Sequence, residues 1–181
     1  MGLLYSKKQS QFENKSLKIV LLGLENAGKT SFMHYLQRKD TPGETIPTVG
    51  FNIGETFLFE KKGLVFDIGG KNCSMWKHYV KDTNVVIFLV DCSDQTRRPN
   101  LQEQLLDLAH NIDSDTQVVF LLNKVDLATE YFIKDFIEEF KIDHLFDNDM
   151  FFDRISVTQN IGMEALAKKL TGFLKFSKLV L

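Results

Sequence analysis

The sequence contains little cysteine, little proline and no long apolar run. Two cysteines, Cys73 and Cys92, and 3 prolines occur among 181 residues, and two unpatterned cysteines are too few for a disulfide or zinc framework. No apolar run approaches the roughly 18 residues that a membrane span requires, and no secretory signal is visible. These absences predict an intracellular protein of the cytoplasm whose two thiols are reduced.

An excess of charge of one sign is lacking as well. The 22 basic and 24 acidic residues give a net charge of −2, which argues against a nucleic acid as a partner. Hydrophobic residues make up 44% of the chain, an ordinary share for a soluble globular protein. The length of 181 residues is sufficient for one domain with a substantial core.

Short apolar runs bounded by turn residues recur along the chain and predict buried strands. These runs are found at residues 17–22, 64–68, 85–90, 118–122 and 151–157. A longer, partly exposed strand is predicted at 48–59, with a tight turn at 61–63 that makes a hairpin with the next strand.

Helical spacing of apolar residues appears between these strands. The segments concerned are 30–37, 101–112, 132–140 and 163–174. Arg97-Arg98-Pro99 is predicted to be a solvated helix start. Strands that alternate with helices predict an α/β fold. We expect a six-stranded, mostly parallel sheet with one antiparallel edge strand and five helices on its two faces.

A phosphate-binding loop follows the first strand. The sequence Gly-Leu-Glu-Asn-Ala-Gly-Lys-Thr at 23–30 matches the pattern G-x-x-x-x-G-K-[ST] between a buried strand and a helix. Backbone N–H groups of such a loop surround a di- or triphosphate, and the helix adds the positive end of its dipole. A glycine-rich turn without ligand is the alternative, and the flanking strand and helix argue against it. The residues predicted to contact the nucleotide here are Gly23, Leu24, Glu25, Asn26, Ala27, Gly28, Lys29, Thr30 and Ser31.

Three further residues are candidates for a magnesium ion and a third phosphate. Asp67, at the end of the third predicted strand, is suited to hold Mg²⁺ through water, and Thr30 presents a hydroxyl to the same ion. Thr48 lies in a proline-containing loop and is a candidate to complete the magnesium shell; the alternative is that it only opens a strand. Gly70 follows Asp67 closely and can offer its N–H to a γ-phosphate.

Asn123-Lys-Val-Asp126, directly after a predicted strand, predicts guanine recognition. The carboxylate of Asp126 can accept hydrogen bonds from N1–H and the exocyclic amine of guanine, whereas adenine presents an acceptor at N1. The stem of Lys124 can cover the base, and the Asn123 amide can tie loops together. Ser156 and Val157, after the last strand, are predicted to contribute a backbone N–H to the guanine oxygen.

Together these motifs resemble the small GTPases of the ADP-ribosylation factor (Arf and Arf-like) family. The segments that match in order are 23–30, 46–51, 67–70, 76–79 and 123–126. The resemblance implies the P-loop small GTPase fold and a GTP/GDP switch with Mg²⁺. Thr48 and Gly70 would then sense the γ-phosphate, and residues 44–55 and 67–80 would change shape.

The resemblance also implies partners. Effector proteins would bind an apolar surface of Phe51, Phe66 and Tyr79, and an exchange factor and a GTPase-activating protein would act on the switch. Phe66 stands where the family usually has tryptophan.

The N-terminus predicts a lipid anchor. Met-Gly-Leu-Leu-Tyr-Ser at 1–6 fits N-myristoylation at Gly2, within an amphipathic extension at 1–16 that precedes the GTP-binding domain at 17–181. One acyl chain anchors weakly, so we expect a cytoplasmic protein in reversible, peripheral association with a membrane. An ordinary N-terminal extension is the alternative.

Lys71 departs from the family pattern at the catalytic switch. The family usually has glutamine there, which orients the attacking water, whereas an ammonium has donors only. The segment between Lys71 and Trp76 is also about two residues shorter than the family pattern.

The catalytic groups implied by the resemblance are therefore Lys29, Gly70 and Lys71, and weak intrinsic hydrolysis is expected. Lys71 would either contact the γ-phosphate or point to solvent while a partner supplies the missing groups. The alternative function is a non-hydrolysing, GTP-stabilised interaction subunit.

Overall fold

The computed structural model describes residues 16–38, 48–58, 61–71, 73–141 and 144–175. Gly2 and nearly all of the predicted N-terminal extension lie outside the described residues. Within the described ranges, no helix has the length and apolar character needed to cross a lipid bilayer.

Six strands form one sheet in the described part of the chain, as the sequence predicts. They are β1 (Leu17–Leu22), β2 (Phe51–Leu58), β3 (Lys61–Ile68), β4 (Val85–Asp91), β5 (Gln117–Asn123) and β6 (Met150–Arg154). Their order across the sheet is β2-β3-β1-β4-β5-β6. Only the β2–β3 pair is antiparallel, so β2 is the predicted antiparallel edge strand.

Five α-helices connect the strands among the described residues, which confirms the predicted fold class. They are α1 (Lys29–Arg38), α2 (Trp76–Tyr79), α3 (Arg98–Asn111), α4 (Glu130–Phe140) and α5 (Met163–Lys175). Local chemistry explains several of their ends. Thr129 caps α4 by accepting from the N–H of Phe132 at 3.4 Å, and Gly162, with a φ of 73°, precedes α5.

The core lies on both faces of the sheet, because side chains alternate along each strand. On one face, Val20 and Phe88 pack in a cluster that includes buried leucines of α3 and phenylalanines of α4. On the other face, Ile19 and Leu89 pack in a cluster that includes Phe32 of α1 and the apolar stripe of α5. Covering both faces leaves the ends of the strands as the surface for polar side chains.

The predicted tight turn at 61–63 is wrong. These residues begin β3, where Lys61 pairs with Leu58 and Gly63 pairs with Thr56. A Cβ added to Gly63 would lie 2.9 Å from the Cδ1 atom of Ile19. Gly63 therefore lies inside the strand, in close contact with Ile19 of β1, and does not reverse the chain.

Other predicted boundaries also shift. The last strand ends at Arg154 and not at residue 157, because Ser156 pairs with Ile161 in an isolated antiparallel bridge that turns the chain. The strand predicted from residue 48 begins at Phe51.

Arg98 is not the solvated residue that the sequence predicts. Its side chain is only 12% exposed, and its Nη1 atom lies 2.6 Å from Asp135 and 2.9 Å from Glu139. The guanidinium also lies 5.5 Å from the ring centre of Phe136. Arg98 therefore joins the start of α3 to α4.

Candidate nucleotide-binding site

The predicted phosphate loop connects β1 to α1, at the carboxyl edge of the parallel strands, where ligands of such folds bind. Gly23, Asn26 and Gly28 have φ angles of 140°, 63° and 95°. A Cβ at Gly23 would lie 2.1 Å from the carbonyl oxygen of Leu89, and one at Gly28 would lie 2.3 Å from the amide nitrogen of Asn123. Both glycines are therefore required for the path of the loop beside neighbouring strands.

Lys29 folds back over this loop. Its Nζ atom donates to the carbonyl oxygens of Gly23 and Leu24 at 2.8 and 2.9 Å. Burial lowers the pKa of Lys29 to about 8, although the nearby Asp67 carboxylate opposes this effect. The ammonium is thus fixed in position and poorly solvated, which strengthens its attraction for an anion.

Thr30, Thr48 and Asp67 meet beside the loop, although they are far apart in the sequence. The Oγ1 atoms of Thr30 and Thr48 donate to Oδ2 of Asp67 at 2.6 and 3.2 Å, and they are 3.0 Å from each other. Asp67 is fully buried, and its Oδ1 atom has no hydrogen-bond partner among the described residues. Two hydroxyls and a buried carboxylate with a free oxygen fit Mg²⁺, which prefers oxygen ligands.

The two segments that flank this cluster also touch. The N–H of Gly69 donates to the carbonyl oxygen of Gly50 at 2.8 Å. A Cβ added to Gly70 would lie 2.3 Å from the backbone nitrogen of Glu25, so only glycine fits against the loop. Lys71 extends outward, is 74% exposed, and has its Nζ atom 3.4 Å from Oε1 of Glu25.

Arg97 contacts the phosphate loop, and sequence reasoning missed it. Its Nη1 atom donates to the carbonyl oxygen of Glu25 at 2.7 Å, and its Nε atom pairs with the Asp94 carboxylate. The acidic residue three positions earlier was the only local signal for this contact.

Asn123 joins the phosphate half of the site to the base half. Its Nδ2 atom donates to the carbonyl oxygen of Ala27 at 2.9 Å, and its Oδ1 atom accepts from the N–H of Val157 at 3.2 Å. The side chain is buried. It therefore ties the loops together, as the motif predicts.

The other residues of the base half are arranged differently. Lys124 has a φ of 64°, and its Nζ atom pairs with Asp91 at 2.7 Å. Asp126 is exposed in a short 3₁₀ turn. Ser156 is buried, and its Oγ atom accepts from the N–H of Gln159 at 3.2 Å. The backbone N–H that Ser156 and Val157 are predicted to offer to guanine is already bonded in both residues, to the carbonyl oxygen of Ile161 and to Asn123. In the phosphate half, the remaining predicted residue, Ser31, is buried in the first turn of α1.

The predicted apolar surface forms on β2, β3 and α2. The rings of Phe51 and Tyr79 are 5.7 Å apart, and Phe66 pairs with Ile53 across the hairpin. Phe51 and Ile53 are 47% and 54% exposed, so this face is open to solvent. The assignment of roles to all these residues stays a prediction.

Comparisons with known proteins agree with the geometry. The model of the ADP-ribosylation factor family matches residues 4–173. An ADP-ribosylation factor of Encephalitozoon cuniculi is 36% identical over 133 residues, which cover 72% of this chain and 64% of that protein. ADP-ribosylation factor-like protein 14 of Mus musculus is 33% identical over 183 residues, which cover 97% of this chain and 92% of that protein.

A solved structure shows the same fold. The Arl6 BBS3 small GTPase of Trypanosoma brucei, solved with the nucleotide analogue GppNp, superposes with a TM-score of 0.76 at 23% identity, covering 91% of this chain and 100% of that chain. With the family model matching nearly the whole chain, this protein belongs to the ADP-ribosylation factor family of small GTPases.

Proposed function

We propose that this protein is a GTP/GDP switch of the Arf-like type that recruits effector proteins at membranes and hydrolyses GTP weakly by itself. The observation that carries the proposal is the convergence of Thr30, Thr48 and Asp67 beside the phosphate loop. Thr48 belongs to one flanking segment and Asp67 to another. A ligand that replaces their mutual hydrogen bonds therefore acts on both segments.

Lys29 binds the β- and γ-phosphates in this proposal. Its ammonium is buried and is held by the carbonyl oxygens of Gly23 and Leu24. Thr30 and Thr48 would hold Mg²⁺, with Asp67 acting through water; the ion supplies charge stabilisation for the phosphates. The N–H of Gly70 adds a donor for the third phosphate.

Asp126 selects guanine. Its carboxylate is exposed and can accept the two N–H groups that guanine presents on one edge. The stem of Lys124 would cover the base. Asn123, the residue before Lys124, bonds both to the phosphate loop and to the loop of Val157.

Weak hydrolysis follows from Lys71. Its ammonium has no acceptor for a proton of water, and it lies 3.4 Å from Glu25, so the carboxylate attracts it towards the rim of the loop. Phosphoryl transfer to water relies on positioning and charge stabilisation. A GTPase-activating protein would supply the water-orienting group and an arginine.

Effectors would bind the surface of Phe51, Phe66 and Tyr79, and an exchange factor would open the nucleotide site. The exposed ring of Phe51 beside Tyr79 supports this assignment. Membrane association through an acylated Gly2 belongs to the same proposal, and a cytoplasmic, peripherally attached protein is expected.

The first experiment identifies the nucleotide carried by the purified protein, by denaturation and ion-pair chromatography. We expect mainly GDP if a cellular partner drives turnover. Single-turnover hydrolysis by the isolated protein should be slow, and Lys71→Gln should accelerate it by about 10²-fold, the lower end of what a positioned group contributes.

Lys77→Gln is the matched control, because Lys77 is an exposed lysine of α2 that the proposal gives no catalytic role. Equal hydrolysis rates for the wild type and Lys71→Gln would contradict impaired catalysis by Lys71. A protein that retains neither GDP nor GTP would contradict the switch itself.

The second candidate is a GTP-stabilised interaction subunit that does not hydrolyse its nucleotide, and the lysine at position 71 favours it. Nucleotide exchange distinguishes the two candidate functions. A switch releases its nucleotide when a partner opens the site, whereas a permanent subunit retains GTP through purification and through incubation with excess GDP.

A further inference from the structure

The chain after Asp67 approaches the phosphate loop more closely than a side chain would allow. A Cβ added to Gly70 would lie 2.3 Å from the nitrogen of Glu25 and 2.7 Å from the carbonyl oxygen of Gly23. Backbone therefore packs directly on backbone at this point. Lys71, the next residue, lies at the rim of the phosphate loop, beside Glu25.

Lys71 and Glu25 carry opposite charges across this contact. The Nζ atom of Lys71 is 3.4 Å from Oε1 of Glu25, with side-chain exposures of 74% and 38%. Water reaches both groups, so their attraction is modest and is screened by salt. A glutamine at position 71 would carry no charge to pair with Glu25.

Glu25 is held from its other side. Its carbonyl oxygen accepts from Nη1 of Arg97 at 2.7 Å, and Arg97 pairs in turn with Asp94. The start of α3 thus restrains the backbone of Glu25. Because the backbone that carries the Glu25 side chain is already restrained, only the side-chain torsions are ordered when its carboxylate pairs with Lys71.

We propose that Glu25 and Lys71 form an electrostatic latch that holds the switch segment, residues 67–71 and 73–80, against the phosphate loop without the help of a third phosphate. The inference rests on the proposed nucleotide switch. The latch stabilises in advance the arrangement that a triphosphate needs. It therefore raises the affinity for a GTP analogue relative to GDP.

Four proteins test the latch: the wild type, Lys71→Gln, Glu25→Gln and the double variant. Each is titrated with fluorescent GDP and with a fluorescent non-hydrolysable GTP analogue. Lys71→Gln should lower the analogue-to-GDP affinity ratio by about two- to five-fold at low salt, the range of an exposed ion pair. It should have no effect in the Glu25→Gln background, because the partner is already absent.

Comparison of these four proteins distinguishes the latch from a direct attraction between Lys71 and the phosphates. Direct attraction predicts that Lys71→Gln lowers the ratio equally with and without Glu25, and this result would overturn the latch. Lys71→Arg keeps the charge and should keep the ratio of the wild type. Lys77→Gln, the control on α2, should leave it unchanged.

A second readout remains usable if Glu25→Gln loses nucleotide. Trp76, the only tryptophan, is buried in the switch segment with its ring 5.4 Å from Phe88, so its emission reports the packing of this segment. Lys71→Gln or high salt should enlarge the emission difference between the GDP and GTP-analogue forms. An unchanged difference would overturn the latch, whereas failure of the wild type to bind either nucleotide would overturn the proposed function instead.

Discussion

The two halves of the nucleotide site satisfy their polar groups in different ways. In the phosphate half, Thr30 and Thr48 donate to Asp67, so the side chains expected to contact a ligand are bonded to one another. In the base half, Asn123 is committed to two backbone groups, and Asp126 is exposed.

The difference implies that ligand binding and the stability of the fold depend on different side chains. In the proposed function, a ligand in the phosphate half would replace hydrogen bonds that already exist, which would link its binding to a rearrangement of the two flanking segments. In the proposed function, a base would contact Asp126 without breaking the bonds of Asn123. We therefore expect substitution of Asp126 to change nucleotide selectivity and substitution of Asn123 to change the stability of the fold.

The largest expected effect concerns selectivity. Asp126→Ala should remove most of the preference for GTP over ATP, which is roughly 10⁴-fold for a site built on such hydrogen bonds. The free energy of unfolding should change by less than about 0.5 kcal/mol, because the side chain is exposed. Competition binding and urea unfolding measure the two quantities.

Asp115→Ala, which removes an exposed carboxylate before β5, should change neither. Retention of full guanine preference by Asp126→Ala would contradict the assignment of the base half.

The next effect concerns the phosphate half. Lys29→Met should lower the affinity for GTP by about 10²- to 10³-fold, the consequence of removing one member of a desolvated charge pair. The nucleotide-free protein should not lose stability, since the unfavourable desolvation of the ammonium offsets its hydrogen bonds to Gly23 and Leu24. Equilibrium titration and thermal unfolding test both statements, with exposed Lys134→Met as the control; unchanged affinity would contradict the role of Lys29.

Asn123→Ala should act mainly on stability. It leaves the carbonyl oxygen of Ala27 and the N–H of Val157 without their buried partner, which costs about 2–3 kcal/mol of unfolding free energy. Urea unfolding measures this loss. Asn52→Ala, at an exposed position of β2, should change stability by less than about 0.5 kcal/mol, and equal losses in the two variants would contradict the tie between loops.

The last effect is on the pH dependence of stability. Burial lowers the pKa of Lys29 from 10.5 to about 8, so between these values the unfolded state binds more protons than the folded state. The stability of the nucleotide-free protein should therefore rise as pH rises through this window, while the full penalty is present below it. Urea unfolding on the two sides of pH 8 measures the rise, and Lys29→Met should remove it.

Much of the fold could be predicted because its signals are local. Apolar runs and the loop at 23–30 carry their meaning within a few residues. The turn at 61–63 was misplaced because Lys-Lys-Gly resembles a turn, whereas packing of Gly63 against Ile19 decides its role. That contact belongs to the tertiary structure and leaves no local pattern.

In the candidate site as well, residues in local motifs could be predicted, whereas contacts between distant parts of the chain could not. Local motifs name Lys29, Asp67 and Asn123, and the structure places all three at the phosphate loop or in contact with it; their roles stay a prediction. Arg97 and Arg98 were predicted to be solvated because their main partners are distant in sequence, at Glu25 and on α4. A single arginine has no periodicity, and only the folded chain reveals that it is buried or paired.

The position of β2 at the edge of the sheet bears on how readily the protein associates with other molecules. Phe51, Ile53 and Phe57 are 47%, 54% and 73% exposed, on a strand whose outer side has no neighbour among the described residues. Such a strand is a template for association with another chain. We therefore expect copies of the protein to associate through β2 at high concentration, and a molecule that covers this strand to prevent that association.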